Sequence, residues 1–262
     1  MPALDPANTA TLLPLPPLDL FGQQVRLFPL LVGIAIIVGC TITYVRGRQV
    51  GLSVDDMLAV MLVAVVTGFF GSHLVYIFGY HPDKIVGRPA FLFDVFRGMS
   101  SLGGFTGGTI GVIAYLRIRR LPLANFADVI AFGFVFAWIF GRIGCTVAFD
   151  HPGSLTTFPL GMEFPGNDVV GPGIRHNLGF YEVPWSIAVA AWFYRVRHRP
   201  KFPGWYPVMF VLAYVPLRFP LDFLRAADAR HAGFTPAQWF LLALFAWCLH
   251  LAYTGARRTP SK

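Results

Sequence analysis

Seven apolar blocks set the pattern of this chain, at residues 27–45, 57–78, 103–116, 126–149, 181–194, 206–224 and 237–254. A helix needs about 20 mostly apolar residues to cross a bilayer. Read on that scale, the pattern predicts an all-α fold, a polytopic membrane helix bundle of about seven transmembrane helices. The third block is short and rich in glycine, with Gly103-Gly104 and Gly107-Gly108. Residues 80–97, with Pro82 and Pro89, read as a loop, and residues 150–177 as a long polar Gly/Pro-rich connection. Residues 1–26 are Pro-rich and lack the basic start of a secretory signal, so they read as an irregular arm at the interface. A membrane domain at 27–254 and a basic tail at 255–262 complete the division.

Charge orients the blocks. Arg46 and Arg48 follow the first block, Arg117, Arg119 and Arg120 the third, and Arg195, Arg197, Arg199 and Lys201 the fifth; Arg257, Arg258 and Lys262 occupy the tail. The intervening segments hold nearly all the acids. Because basic loops stay in the cytoplasm, the N-terminus is expected outside and the C-terminus inside. Composition agrees: 55% of residues are hydrophobic and 13% charged, where soluble domains carry about 25% charged. The net charge of +8 sits in short loops between apolar blocks, which favours a membrane surface over nucleic acid as its partner. No long-period repeat is present, which disfavours a transporter built on repeats. Cys40, Cys145 and Cys248 lie far apart in apolar blocks without CxxC or metal spacing and read as packing residues. Cys145 stands three residues after Arg142, on the same helix face, where a cation lowers a thiol pKa.

Two arginines lie inside apolar blocks. Arg142 is set between Gly141 and Gly144. An arginine near the centre of a transmembrane helix costs about 2.5–3.5 kcal/mol on insertion scales. It is tolerated when it faces the bundle interior and meets an anion, or when it snorkels or pairs with a buried acid. The flanking glycines allow a backbone or a ligand to come close. Arg218 lies in Tyr214-Val215-Pro216-Leu217-Arg218-Phe219-Pro220-Leu221-Asp222, four residues before Asp222, so the two can satisfy each other on one face. Pro220 frees the carbonyl of Pro216 and kinks this helix. Two arginines on different helices at one depth also suit a phosphate. Asp150-His151, Arg175-His176 and Tyr181-Glu182 lie in or beside the long outer connection, as acid–base groups or as solvated loop residues. His73 is an intramembrane ionisable group, suited to function or to a helix–helix hydrogen bond. No HExxH, GxSxG or Walker pattern occurs, and no metal or soluble cofactor is implied.

Phe105-Thr106-Gly107-Gly108-Thr109-Ile110-Gly111, Gly141-Arg142-Ile143-Gly144, Phe158-Pro159 with Phe164-Pro165, Arg175-His176 followed by Tyr181-Glu182, and Arg218, Asp222, Arg225 and Asp228 stand in this order. The order resembles that of bacterial prolipoprotein diacylglyceryl transferases over roughly residues 27–253. Each motif is short, and their order with the seven-block pattern carries the likeness. The resemblance implies a multi-pass enzyme of the bacterial inner membrane, working on phosphatidylglycerol and prolipoprotein signal peptides among membrane lipids. It would move a diacylglyceryl group onto a cysteine thiol and release glycerol phosphate. It implies Arg142, Arg218, Asp150, Thr106 and Glu182 as catalytic residues. Gly107, Gly108, Gly141, Gly144, Tyr181, His176, Asp222, Arg225 and His73 would bind substrate. The chain departs from the family where a histidine precedes the Gly-Gly pair, since Thr106 stands there, or Leu102 on the earlier pair. It departs again at Cys145-Thr146-Val147-Ala148-Phe149-Asp150, where only the final acid of the family's Asn-Phe-x-Asn-Gly-Glu is kept, and at Gly179, where the family has Gln. These departures leave His73, His151 and His176 as alternative bases. A non-catalytic or altered-acceptor binding protein on the same fold stays open.

Overall fold

Long helices form where the apolar blocks run, as the computed structural model shows for residues 18–20, 23–25, 27–94, 98–166, 170–226 and 230–258. Most of the N-terminal arm, Asp228 and Lys262 lie outside these described residues. Two short antiparallel strands, β1 (Leu18–Leu20) and β2 (Gln23–Val25), precede α1 (Leu27–Gln49). Then come α2 (Val54–Val75), extended by one π turn at Tyr76–Tyr80, the short α3 (Asp83–Gly87), and α4 (Ser101–Ile118). α5 (Leu123–Ala148) leads into three strands, β3 (Pro152–Leu155), β4 (Met162–Phe164) and β5 (Gly173–Asn177). The chain closes with α6 (Leu178–Arg195), α7 (Trp205–Leu221), a 3-10 turn at Asp222–Leu224 and α8 (Pro236–Arg258).

Five of these helices are long and apolar enough to cross a membrane: Leu27–Gln49, Val54–Tyr80, Leu123–Ala148, Trp205–Leu224 and Pro236–Arg257. α4 and α6 have 18 residues each. Five glycines dilute the apolar character of α4, and Glu182, Pro184 and Arg195 that of α6. The expected loop at 80–97 is more ordered than its composition suggests. Pro82 and Pro89 start short helical turns, α3 and the 3-10 turn Pro89–Phe93, because proline suits the first turn of a helix, where its missing N–H has no partner to lose. The connection at 150–177 holds a small antiparallel sheet of order β3-β5-β4, a detail added to an architecture that is all-α in its spanning helices, as the apolar blocks predict. Alternation is too brief to be seen in three-residue strands among glycines and prolines.

The chain divides into two compact units, residues 43–129 and residues 1–42 with 130–262. In the first, α2 and α4 approach through glycine. A Cβ at Gly71 would stand 2.6 Å from the Gly103 carbonyl oxygen and 2.8 Å from the Gly107 Cα. The Ser100 hydroxyl caps α4 by accepting from the Gly103 N–H at 3.4 Å, while the Ser72 hydroxyl donates to the Ser100 carbonyl at 2.9 Å. In the second unit, Phe132, Val135, Val189, Ala190, Phe193, Trp205 and Tyr206 form a buried cluster from α5, α6 and α7. This apolar cluster locks the three helices together near the start of α5 and α7 and the end of α6. The arginines stand about 15 Å further along, at 1.5 Å of rise per residue.

Candidate functional site

Glu182 is the hub of a buried charged cluster on α5, α6 and α7. Its carboxylate is fully buried. One oxygen accepts from Arg142 Nε at 3.0 Å and from the Tyr214 hydroxyl at 2.8 Å. The other accepts from Arg218 Nη1 at 2.7 Å. Arg218 Nη2 meets Asp222 at 2.6 Å, one helical turn on, and Asp222 is fully buried as well. Arg142 Nη2 donates to the Tyr214 hydroxyl at 3.3 Å, and the guanidinium stacks 4.0 Å above the Trp138 ring. Both arginines are therefore buried, oriented and charge-paired. The pairing of Arg218 with Asp222 expected from their spacing is present, and Arg142 has found a buried acid.

Local sequence explains how Glu182 reaches the arginines. The Asn177 side chain starts α6 by accepting from the Phe180 N–H at 3.2 Å and donates to the Thr146 carbonyl at 3.0 Å. Gly179 lets the first turn of α6 rest on α5, since a Cβ there would lie 3.0 Å from the Thr146 nitrogen and 3.1 Å from Cys145. Gly144 serves a similar end: Phe28 of α1 would lie 3.2 Å from a Cβ at that position. The space beside Gly144 thus belongs to a helix, whereas nothing stands within 4 Å of a Cβ at Gly141. At the end of α7 the Gln238 side chain donates to the Phe219 carbonyl at 3.0 Å. It thereby satisfies backbone next to Pro220.

Asp150 and His151 follow α5 directly. Their side chains face each other, with His151 Nδ1 3.8 Å from an Asp150 oxygen. The Cys145 sulfur, an Asp150 carboxylate oxygen and a His151 ring nitrogen all lie within 4.8 Å of one another. Cys145 Sγ is also 4.0 Å from Arg142 Nη1. Burial and the charges of Arg142, Arg218 and Arg225 push the His151 pKa down to about 3. Burial pushes the Asp150 carboxyl up, against the Cys145 thiol and the Arg142 and Arg225 charges, which pull it down. The main chain links the sheet to the end of α7 through a bridge between Gly153 and Arg225. Arg175 is buried and donates to the Gly153 carbonyl at 3.2 Å. His176 Nδ1 is 2.8 Å from the Tyr181 hydroxyl, and burial lowers its pKa.

Of the expected site residues, Arg142, Glu182, Arg218 and Asp222 come into direct contact. Asp150 and Arg225 stand close enough to Arg142 and His151 for their charges to be felt. His176 and Tyr181 form a pair of their own. Thr106, Gly107, Gly108 and His73 belong to the other unit. There Gly107 packs against the Thr67 carbonyl and the Gly71 Cα, and Thr106 is exposed. Both ring nitrogens of the buried His73 lie 3.1 Å from carbonyl oxygens, those of Gly98 and Phe91. Tyr214, Trp138 and Asn177 were missed. Tyr214 and Trp138 each stand four residues before an arginine on the same helix, a spacing that could have revealed them.

A profile of the prolipoprotein diacylglyceryl transferase family matches residues 17–254. A protein of Rhizobium leguminosarum bv. trifolii named phosphatidylglycerol–prolipoprotein diacylglyceryl transferase is 26% identical over 91% of this chain and 90% of its own length. A protein of the same name from Nitratidesulfovibrio vulgaris is 31% identical over 79% of this chain and 77% of its own. A third, numbered 2 in Clostridium perfringens, is 24% identical over 85% and 88%.

Proposed function

The chain belongs to the prolipoprotein diacylglyceryl transferase family, and on that premise we propose that it moves the diacylglyceryl group of phosphatidylglycerol onto the lipobox cysteine of prolipoproteins at the bacterial inner membrane. The cysteine sulfur attacks the glyceryl carbon, the C–O bond breaks, and glycerol phosphate leaves with the electron pair. Negative charge therefore grows on the phosphate during cleavage. The observation that carries the reading is the Arg142–Glu182–Arg218 cluster. A guanidinium has five N–H donors. Glu182 engages one donor on each arginine and Asp222 a second on Arg218, and the same contacts fix the direction of those that remain. Donors fixed in advance at a water-poor site stabilise developing charge without reorganising.

The two arginines balance Glu182 and Asp222 in charge. Recognition of the phosphodiester then depends on aimed N–H groups, with Arg225 as an additional cation. In this reading Gly141 leaves room beside Arg142, while Tyr181 and His176 border the site from the start of α6. The assignment of Thr106, Gly107, Gly108 and His73 to substrate rests on the family resemblance alone. The same charge balance favours a second reading, in which Arg142 and Arg218 only hold helices together and the protein binds lipid without turning it over.

The test incubates the purified protein with phosphatidylglycerol and a lipobox peptide and measures the peptide mass. A gain of one diacylglyceryl group is expected. Arg142→Ala and Arg218→Ala should each lower turnover per folded molecule by about 10²–10³, the usual cost of losing one such donor. Lysine at either position should keep a partial rate, since it retains charge but loses the planar pair of donors. A wild type that adds no mass overturns the transferase reading. Normal turnover per folded molecule in both alanine variants overturns the arginine assignment.

A further inference from the structure

Forming a thioether from a thiol releases a proton, and the charged cluster contains no evident group to receive it. Glu182 and Asp222 are already held by arginines. Thr106 cannot take a proton near neutral pH. His73 has a backbone carbonyl against each ring nitrogen, and His176 has the Tyr181 hydroxyl. His151 differs. It stands against the cluster, its side chain is 25% exposed, and its Nδ1 is shielded from solvent with no hydrogen-bond partner. The neighbouring polar group is the Asp150 carboxylate at 3.8 Å.

We propose that His151, oriented by Asp150, is the base that takes the acceptor thiol proton; the proposal rests on the transferase reading. A neutral imidazole carries one N–H. With that proton on Nδ1 and directed at Asp150, the Nε2 lone pair is left to accept. The gap of 3.8 Å has to close for a hydrogen bond, a tightening common when substrate binds. The step balances. The S–H proton passes to Nε2, the sulfur lone pair forms the C–S bond, and the C–O pair departs on the glycerol phosphate.

Charge gives the step an order. The groups around His151 are Arg142 and Cys145 on α5, Asp150 beyond its end, and Arg218 and Arg225 on and after α7, while Glu182 on α6 pairs with Arg142 and Arg218. Burial and the three cations keep His151 neutral in the free protein, the state that can accept a proton. A phosphodiester bound among those arginines offsets their repulsion, so the imidazolium becomes attainable when the lipid is in place. Thiol activation is thereby tied to occupancy of the lipid site.

The experiment measures kcat and KM for a lipobox peptide and for phosphatidylglycerol across pH, in wild type, His151→Gln and His151→Ala, per folded molecule. Loss of a positioned base typically costs about 10²–10⁴ in rate. We expect a fall of that size in kcat with KM for the lipid unchanged, loss of the acidic limb of the kcat profile, and partial recovery of His151→Ala by added imidazole. Unchanged kcat, or a fall with the acidic limb intact and no imidazole recovery, overturns the assignment while the transferase reading stands. A wild type without transfer overturns both.

Discussion

Glu182 is a single carboxylate shared by two arginines and a tyrosine from two other helices. Removing one partner of a buried charge pair typically costs about 3–5 kcal/mol, because the other charge stays buried and uncompensated. Glu182→Ala should therefore destabilise the protein by about that amount, measured by thermal unfolding in detergent. Glu182→Gln keeps an acceptor oxygen and should cost less. Equal unfolding temperatures for Glu182→Ala and wild type would mean that the arginines find other partners at no cost. At this scale the sequence reveals what is local. Arg218 and Asp222 are one turn apart and meet, as spacing on a single helix predicts. Glu182 is separated from Arg142 by an entire sheet and from Arg218 by the connection between two helices. Spacing tells which side chains share a face, and it does not tell which faces meet. The contact that organises the cluster was therefore hidden, although Arg142, Glu182, Arg218 and Asp222 were each identified individually.

Glycine sets the distance between helices in the first unit. Gly71, Gly103 and Gly107 bring the backbones of α2 and α4 into contact, and a Cβ at Gly107 would press on the Thr67 carbonyl and lie 2.9 Å from the Gly71 Cα. Those atoms are backbone and cannot swing aside. Gly107→Ala should force α2 and α4 apart and lower the yield of folded protein in the membrane. Gly33→Ala on α1 is the control. A Cβ there meets nothing within 4 Å, and alanine favours a helix over glycine by about 1 kcal/mol. Equal yields for the two variants would show that the close approach is dispensable. The Gly-Gly motif was read as a substrate-binding feature, and its glycines have this packing role whether or not substrate also reaches them. The helices were legible from their apolar blocks because apolar length alone specifies them. The small sheet after α5 was not, because its pairing depends on Arg175 and on contacts with the end of α7 rather than on any pattern within its strands.

Helix directions and charge together give an expectation for how the chain crosses the membrane. Phe28 of α1 packs at Gly144 of α5 and Gly39 at Ala137, so these two helices run in opposite directions. Gly68 and Gly71 of α2 meet Gly104 and Gly103 of α4, while the earlier Ala64 and Thr67 meet the later Gly108 and Gly107, again in opposite directions. Phe132 touches Phe193 and Tyr206, and Arg142 touches Glu182 and Tyr214. α6 therefore opposes α5, while α7 runs with it. Gln238 near the start of α8 holds Phe219 near the end of α7, and Gly255 near the end of α8 packs on Phe202 before the start of α7. Within each unit these directions suit the alternating seven-block pattern expected from the sequence. The contacts within a unit give relative directions but no absolute one. The basic residues supply it, since Arg46 and Arg48 end α1, Arg117 ends α4, Arg195 ends α6, and Arg257 lies in the last turn of α8. If the chain alternates across the membrane as its apolar blocks predict, the bias of lysine and arginine assigns all four ends to the cytoplasm. Reporter proteins fused after Lys201 and after Lys262 should both report cytoplasm. On that expectation the start of α6, with His151 and the charged cluster, faces the outer side, where the proposed acceptor would present its cysteine. A periplasmic signal from either fusion would break the alternation or invert it, and would remove the cluster from the side of the membrane where the proposed acceptor is presented.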